Sequence, residues 1–160
     1  MDKNLLAYLE KSEISYKKYK HTPVFTVEES EKNAQIKKIP GLRTKSLFLK
    51  DENSNFYLIC LPGKKRLNIK FLKQYLKTKD LNFSNPDELY QELQVKPGSV
   101  SLFSIIHAKK TKLIIDKEVW QAESAGFHPN INKYTFVLTH NSLKKFYDSL
   151  LCQKEIIDLG

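Results

Sequence analysis

Cysteine, glycine, methionine and tryptophan are all scarce in this chain of 160 residues, with two, five, one and one occurrences. Cys60 and Cys152 lie far apart, fit neither a Cys-x-x-Cys nor a zinc-ligand spacing, and sit in apolar surroundings. They read as buried thiols in a reducing compartment, with no disulfide and no metal. No apolar run has the length needed to cross a bilayer. The opening Met1-Asp-Lys-Asn-Leu-Leu-Ala-Tyr-Leu-Glu10 is too charged, and its apolar part too short, for a signal peptide, so a cytoplasmic location is expected. There is no Gly-x-Gly-x-x-Gly, no phosphate-binding Gly-Lys loop, no Gly-x-Ser-x-Gly elbow, no His-Glu-x-x-His and no cysteine in a triad pattern. Those absences remove the commonest nucleotide-binding, serine-hydrolase and zinc-peptidase chemistries. Internal repeats, low-complexity tracts and linkers are missing too, and one domain spanning residues 1–160 is expected.

What is present is a globular composition, 41% hydrophobic and 28% charged, with Lys and Arg outnumbering Asp and Glu by 27 to 18 for a formal charge of +9. Such an excess favours a polyanionic partner through phosphate neutralisation and counterion release. It equally fits a lysine-rich chain kept soluble by its charge, and charge alone does not choose between the two.

The element order comes from periodicity and punctuation. Leu5, Leu6 and Leu9 form one side of an opening helix over residues 3–12, and residues 14–20 alternate as a strand. Thr26 with Glu29 is a capping-box pattern for a helix that must end by Ile39, because Pro40-Gly41 follows. Residues 46–50 and 56–61 read as a hairpin, Asn68 and Asn85 as helix caps, and residues 99–107 and 112–116 as a second hairpin. A helical turn at 117–123, a strand at 134–139, a helix capped by Asn141 and a last strand at 155–159 complete the chain. Strands in hairpins with helices between them predict an α+β fold with a mixed or mostly antiparallel sheet.

Three glycine-containing loops stand out, each abutting a strand or helix end. Lys45 follows the first, Ile39-Pro-Gly-Leu-Arg-Thr-Lys45, and can project from a strand end as a point charge toward phosphate or carboxylate; an ordinary surface lysine is the competing reading. In Lys96-Pro-Gly-Ser-Val-Ser101 the backbone at Gly98, Ser99 and Val100 can present N–H groups to an oxyanion or ester carbonyl, or simply turn after proline. The third, Ala122-Glu-Ser-Ala-Gly-Phe-His-Pro-Asn130, spends far more special chemistry than a turn needs. His128 can bond a substrate there or a loop carbonyl, held in one direction by the restriction Pro129 imposes. Lys64, Lys65 and Arg66 form a basic turn that suits a nucleic-acid backbone or plain solvation.

Taken together, His21-Thr-Pro-Val-Phe-Thr-Val-Glu-Glu29, Gly41-Leu-Arg-Thr-Lys-Ser-Leu-Phe-Leu-Lys-Asp51, Leu61-Pro-Gly-Lys-Lys-Arg66, Lys96-Pro-Gly-Ser-Val100 and Ala125-Gly-Phe-His-Pro-Asn130 occur in the order and spacing of the prolyl-tRNA editing family. The chain resembles its free-standing alanyl-tRNA(Pro) deacylases from about residue 5 onward. The resemblance implies a central mixed, partly barrel-like sheet surrounded by helices. It also implies hydrolysis of the ester joining a wrong amino acid to the terminal adenosine of tRNA(Pro), with alanine as the first expectation. By resemblance, Lys45 engages the terminal adenosine phosphate, Gly98, Ser99 and Val100 lie against the ester, and His128 accompanies alanine preference. Phe25, Thr44, Ser46, Gly126, Phe127, Pro129 and Asn130 complete the substrate pocket, and Lys64, Lys65 and Arg66 meet the tRNA. The partners implied are the mischarged acceptor end and prolyl-tRNA synthetase, with no cofactor, metal, membrane or DNA. No protein nucleophile is implied, since in this family the ribose 2′-hydroxyl helps activate water. Ser46 stands where relatives often have asparagine, which bears on pocket polarity and width. Leu102 stands where their glycine loop ends in proline, which is expected to loosen the loop. Those departures keep other small amino acids (Ser, Thr, Cys, 2-aminobutyrate) open as substrates, and beside them a non-catalytic tRNA- or synthetase-binding module.

Overall fold

The computed structural model describes residues 1–160. Asp2 accepts a hydrogen bond from Leu5 N at 3.0 Å and so starts α1 (Lys3–Lys11), which buries Leu5 and Leu9 one turn apart. β1 (Lys17–Lys20) follows, then α2 (Val27–Lys32) and α3 (Ala34–Lys37). The expected single helix over this stretch is broken at Asn33. Its extended backbone and its side chain, which accepts from Gln35 N and Ile36 N, end one helix and cap the next.

β2 (Leu42–Asp51) and β3 (Phe56–Pro62) form the expected hairpin, closed by Asp51, whose carboxylate accepts from Asn53 N, Asn55 N and the Tyr57 hydroxyl. α4 (Ile69–Leu76) starts at Asn68, and α5 (Pro86–Leu93) starts at a full Asn85/Glu88 capping box with proline at its first position. β4 (Leu81–Phe83) lies between them and was not anticipated. A 3₁₀ helix (Leu102–His107), β5 (Thr111–Asp116), α6 (Lys117–Gln121), β6 (Ser124–Phe127), β7 (Tyr134–Thr139), α7 (His140–Ser149) and β8 (Lys154–Ile157) complete the chain.

The strands form one mixed sheet in the order β1-β7-β6-β2-β3-β5-β8, with β4 on the side of β2 away from β3. Pairs β2/β6, β3/β5 and β5/β8 are parallel and the rest antiparallel. The sheet is open: β1 and β8 end it without pairing with each other, so the barrel-like sheet that the resemblance implies is not closed. Every residue of β3 is buried because the pleat feeds two cores. Leu58 and Cys60 join the larger one with α1 and α7, while Tyr57, Ile59 and Leu61 join a smaller one with Leu72 of α4.

Residues 99–107, expected to be a strand, instead turn into the 3₁₀ helix. Ser101 Oγ accepts from Phe103 N and Ser104 Oγ accepts from Ser101 N, and this local bonding overrides a β-like run of Leu, Phe and Ile. β5 therefore has no hairpin partner and pairs in parallel with β3 and β8. β6 hides in the third glycine loop because Ser-Ala-Gly carries no β signature. Helix α7 is capped by Thr139, not Asn141.

Candidate active site

β2 pairs with β3 over most of its length, but on its other side only Leu42 and Arg43 meet β6 and only Leu49, Lys50 and Asp51 meet β4. Residues 44–47 therefore carry a strand on one side only. A cavity of about 570 Å³ opens over this gap, within the size range of small-molecule sites. Residues 41–47 form its floor, with Phe25 and Val27, Gly98 and Val100, Lys64 and His128 around it. A hollow of about 40 Å³ shares Thr44 and His128 with it and adds Gly126 and Thr135.

Lys45 is half-buried, and no carboxylate pairs with it. Burial alone holds its ammonium below the usual lysine range. A cation partly stripped of water and given no counter-ion gains most from an anion that enters the cavity. The basic turn expected to act as a unit is divided. Lys64 is exposed on the cavity wall and Arg66 is exposed outside it. Lys65 turns inward to the fully buried Asp116 at 2.7 Å, and that hydrogen bond raises its pKa. Lys65 is thus committed to the fold and not free for tRNA. Arg43 also lines the cavity and was missed, because β2 was expected to begin at Ser46. The alternation of Arg43 with Lys45 held the signal.

Gly98 has φ +89°, a conformation other residues rarely adopt, and a Cβ there would stand 3.1 Å from Phe25 Cδ1. The ring of Phe25 is two-thirds exposed and leans over this glycine. Ser99 N is consumed within the turn by Lys96 O at 3.1 Å, which removes it from the expected set of backbone donors. The N–H groups of Gly98 and Val100 have no acceptor in the protein, and both residues line the cavity. Leu102 does not loosen this loop: it is fully buried and opens the 3₁₀ helix.

Also lining the cavity, His128 has its Nδ1 3.0 Å from Tyr134 O, which makes Nδ1 the donor and leaves Nε2 with a lone pair. Burial lowers its pKa, so the ring is neutral at pH 7. The His21 ring, 5.8 Å away between centroids, is itself buried and bonded to Thr22 O and Thr135 Oγ1. Because the folded pKa of His128 lies below its ordinary 6.5, the unfolded chain takes up a proton that the folded ring refuses as pH falls through that value. The contribution is present above about pH 6.5 and lost below it. His128→Gln is therefore expected to flatten the fall of the urea midpoint between about pH 7 and pH 5; an unchanged slope would show that His128 does not set it.

Lysine in a strand gap, a glycine turn with free amides and a neutral histidine thus line one cavity. The aminoacyl-tRNA editing domain matches residues 21–146, which hold all three. The chain belongs to that family. Among its relatives, the prolyl-tRNA editing protein ProX of Acetoanaerobium sticklandii is 29% identical over 144 residues, covering 88% of this chain and 87% of the relative. Prolyl-tRNA synthetase associated domain-containing protein 1 of Danio rerio is 26% identical over 150 residues, covering 91% and 80%. The fold matches a solved structure of a candidate trans-editing enzyme for prolyl tRNA synthetase, with a TM-score of 0.75, 16% identity and coverage of 99% and 98%.

Within this editing domain the third glycine loop divides by role. Gly126 O accepts from Thr44 Oγ1 at 2.7 Å, and a Cβ on Gly126 would meet Thr135 Cγ2 at 2.8 Å, so glycine here lets β2, β6 and β7 close up behind the cavity. Pro129 is buried beside His128. Phe127 borders the small hollow, but its ring packs edge-on against Phe103 in the core. Asn130 departs from the expected substrate contact. It is buried, outside the lining of either hollow, and its amide is bonded to Asp2 and Ser104. Ser46 lines the cavity floor in register with Cys60, whose thiol burial pushes up to about 12.

Proposed function

We propose that this editing domain, acting as one unit over residues 1–160 in the cytoplasm, hydrolyses the ester of mischarged tRNA(Pro), with alanine as the amino acid removed. The observation that carries this reading is Lys45: a half-buried ammonium without a counter-ion, in a strand gap on the floor of a cavity that a neutral histidine also lines. The names of the ProX and synthetase-associated relatives support proline tRNA as the carrier and prolyl-tRNA synthetase as the enzyme whose errors are corrected.

A volume of about 570 Å³ is far more than one alanyl group occupies and leaves space for the terminal nucleoside. Lys45 holds the 5′-phosphate of the terminal nucleotide, which fixes the ester across the gap. The unpaired amides of Gly98 and Val100 are donors for the carbonyl oxygen as water adds to it and negative charge develops. His128 Nε2 accepts a hydrogen bond from the α-ammonium group of the substrate. Thr44 and Ser46 line the floor without a base to activate them, since Thr44 Oγ1 donates to Gly126 O. As the resemblance to the editing family implies, the attacking group is water assisted by the ribose 2′-hydroxyl, and the protein's work is positioning.

In this reading discrimination rests on the small hollow beside His128, which shares Thr44 and His128 with the main cavity and is assigned to take the methyl group of alanine and exclude the pyrrolidine ring of proline. A second sieve of this kind is needed because a pocket shaped for proline rejects the smaller alanine by only about 1–3 kcal/mol per missing methylene. The test is the time course of deacylation of Ala-, Ser- and Pro-tRNA(Pro). Rapid loss of alanine with proline retained supports the reading. Faster loss of serine reassigns the substrate, and no loss beyond that in buffer removes the deacylase assignment.

A further inference from the structure

Asn130 lies two residues beyond His128, and Ser101 lies three beyond Gly98. Asn130 Oδ1 accepts from Ser104 Oγ at 2.7 Å and from Ser101 Oγ at 3.3 Å, while its Nδ2 donates to Asp2 Oδ2 at 2.9 Å. The amide can face only this way, because a carboxylate accepts and cannot donate. His107 Nε2 meets the same Asp2 oxygen at 2.7 Å, and Asp2 Oδ1 caps α1. Ser101, Ser104 and Asn130 are 3%, 0% and 6% exposed, so water does not substitute for a lost partner. No backbone hydrogen bond joins residues 96–107 to residues 124–131, and the two bonds accepted by Asn130 are the polar link between them. Asn130 also holds φ +62°, which asparagine tolerates better than most side chains.

We propose that Asn130 is a positioning residue that fixes the spacing between the two walls of the editing cavity, the glycine turn with its free amides and the segment carrying His128. This rests on the deacylase reading for its effect on rate, though not for the coupling of the walls. Catalysis by positioning is sensitive to such spacing, since a displacement of about 1 Å costs roughly 100-fold. The network reaches both walls from behind and does not touch substrate.

Asn130→Gly tests it, because glycine keeps the backbone conformation and deletes the amide. The expected result is a fall in kcat for Ala-tRNA(Pro) of about 10- to 100-fold with KM nearly unchanged. Exchanging the partners, Asp2→Asn with Asn130→Asp, restores a donor facing an acceptor between them, with the new amide also donating to His107 Nε2 once that ring carries its proton on Nδ1, and is expected to recover most of the rate, whereas Asn130→Asp alone sets two carboxylates together and is not. Ile114→Val, a trimmed residue of the smaller core, is the control for mild destabilisation and keeps the parental kcat. An unchanged kcat in folded Asn130→Gly, or no recovery in the exchanged pair, overturns the proposal. If the parent cleaves no ester, the deacylase reading has failed, and amide spectra of the ¹⁵N-labelled proteins decide the coupling. The resonances of Gly98, Val100 and His128 must shift together in Asn130→Gly and return in the exchanged pair; if they stay in place, Asn130 couples nothing.

Discussion

Replacing Lys45 by alanine is expected to slow hydrolysis of Ala-tRNA(Pro) by roughly 100-fold or more, the loss typical when a reacting group is no longer held in place. The fold should hardly notice. Lys45 makes no ion pair in the protein, so its removal orphans no carboxylate, and burial already disfavours its charged form. A urea midpoint equal to that of the parent, or slightly higher, should accompany the lost activity. Lys45→Met, which keeps the stem and drops the charge, should be as inactive as the alanine variant, and Lys45→Arg should recover little because a planar fork replaces a compact ammonium. Single-turnover kinetics at saturating enzyme make the measurement. Near-parental rates in Lys45→Ala would remove the phosphate-holding role and with it the main support for the site.

Much of this site was legible before the fold. Lys45, Gly98 and His128 lie in loops that glycine and proline punctuate, and such punctuation reports local backbone geometry directly, but each also had an ordinary structural reading and the resemblance to the editing family gave them their expected roles. What escaped was set by tertiary pairing. The gap in β2 exists because β6 and β4 stop short of each other along one edge, and neither short strand has a β-like composition. Lys65 looked like its neighbours Lys64 and Arg66 until Asp116, far along the chain, came to lie 2.7 Å from it. The capped helices at Thr26, Asn68 and Asn85 were readable because a cap is a local bond, as at Asn85 with Glu88. The 3₁₀ helix was misread despite an equally local cap, because serine before and within an apolar run does not reveal whether its hydroxyls turn to backbone or to solvent.

That 3₁₀ helix carries the second large effect, on stability. Phe103 is fully buried and meets three rings edge-on: Phe146 at 5.3 Å between centroids, Phe127 at 5.8 Å and Phe136 at 6.0 Å. They come from α7, β6 and β7, so one side chain pins the segment after the glycine turn to the half of the sheet that supports His128. Phe103→Ala is expected to cost about 3–5 kcal/mol, from lost transfer energy and the cavity left among rings too constrained to close over it. Against a total of about 5–15 kcal/mol for a native protein, that is a large share, and the urea midpoint should fall by more than about 1 M. Phe103→Leu refills most of the volume and should recover over half of the loss, though not the edge-on contacts. Below the midpoint, the folded fraction of Phe103→Ala should also hydrolyse Ala-tRNA(Pro) more slowly, because Phe127 directly precedes His128 and Val100 lies three residues before Phe103. A midpoint that barely moves would mean that the 3₁₀ segment is not anchored by this ring. The rigidity of the glycine turn would then have to come from Leu102 and the Ser101, Ser104 and Asn130 bonds alone.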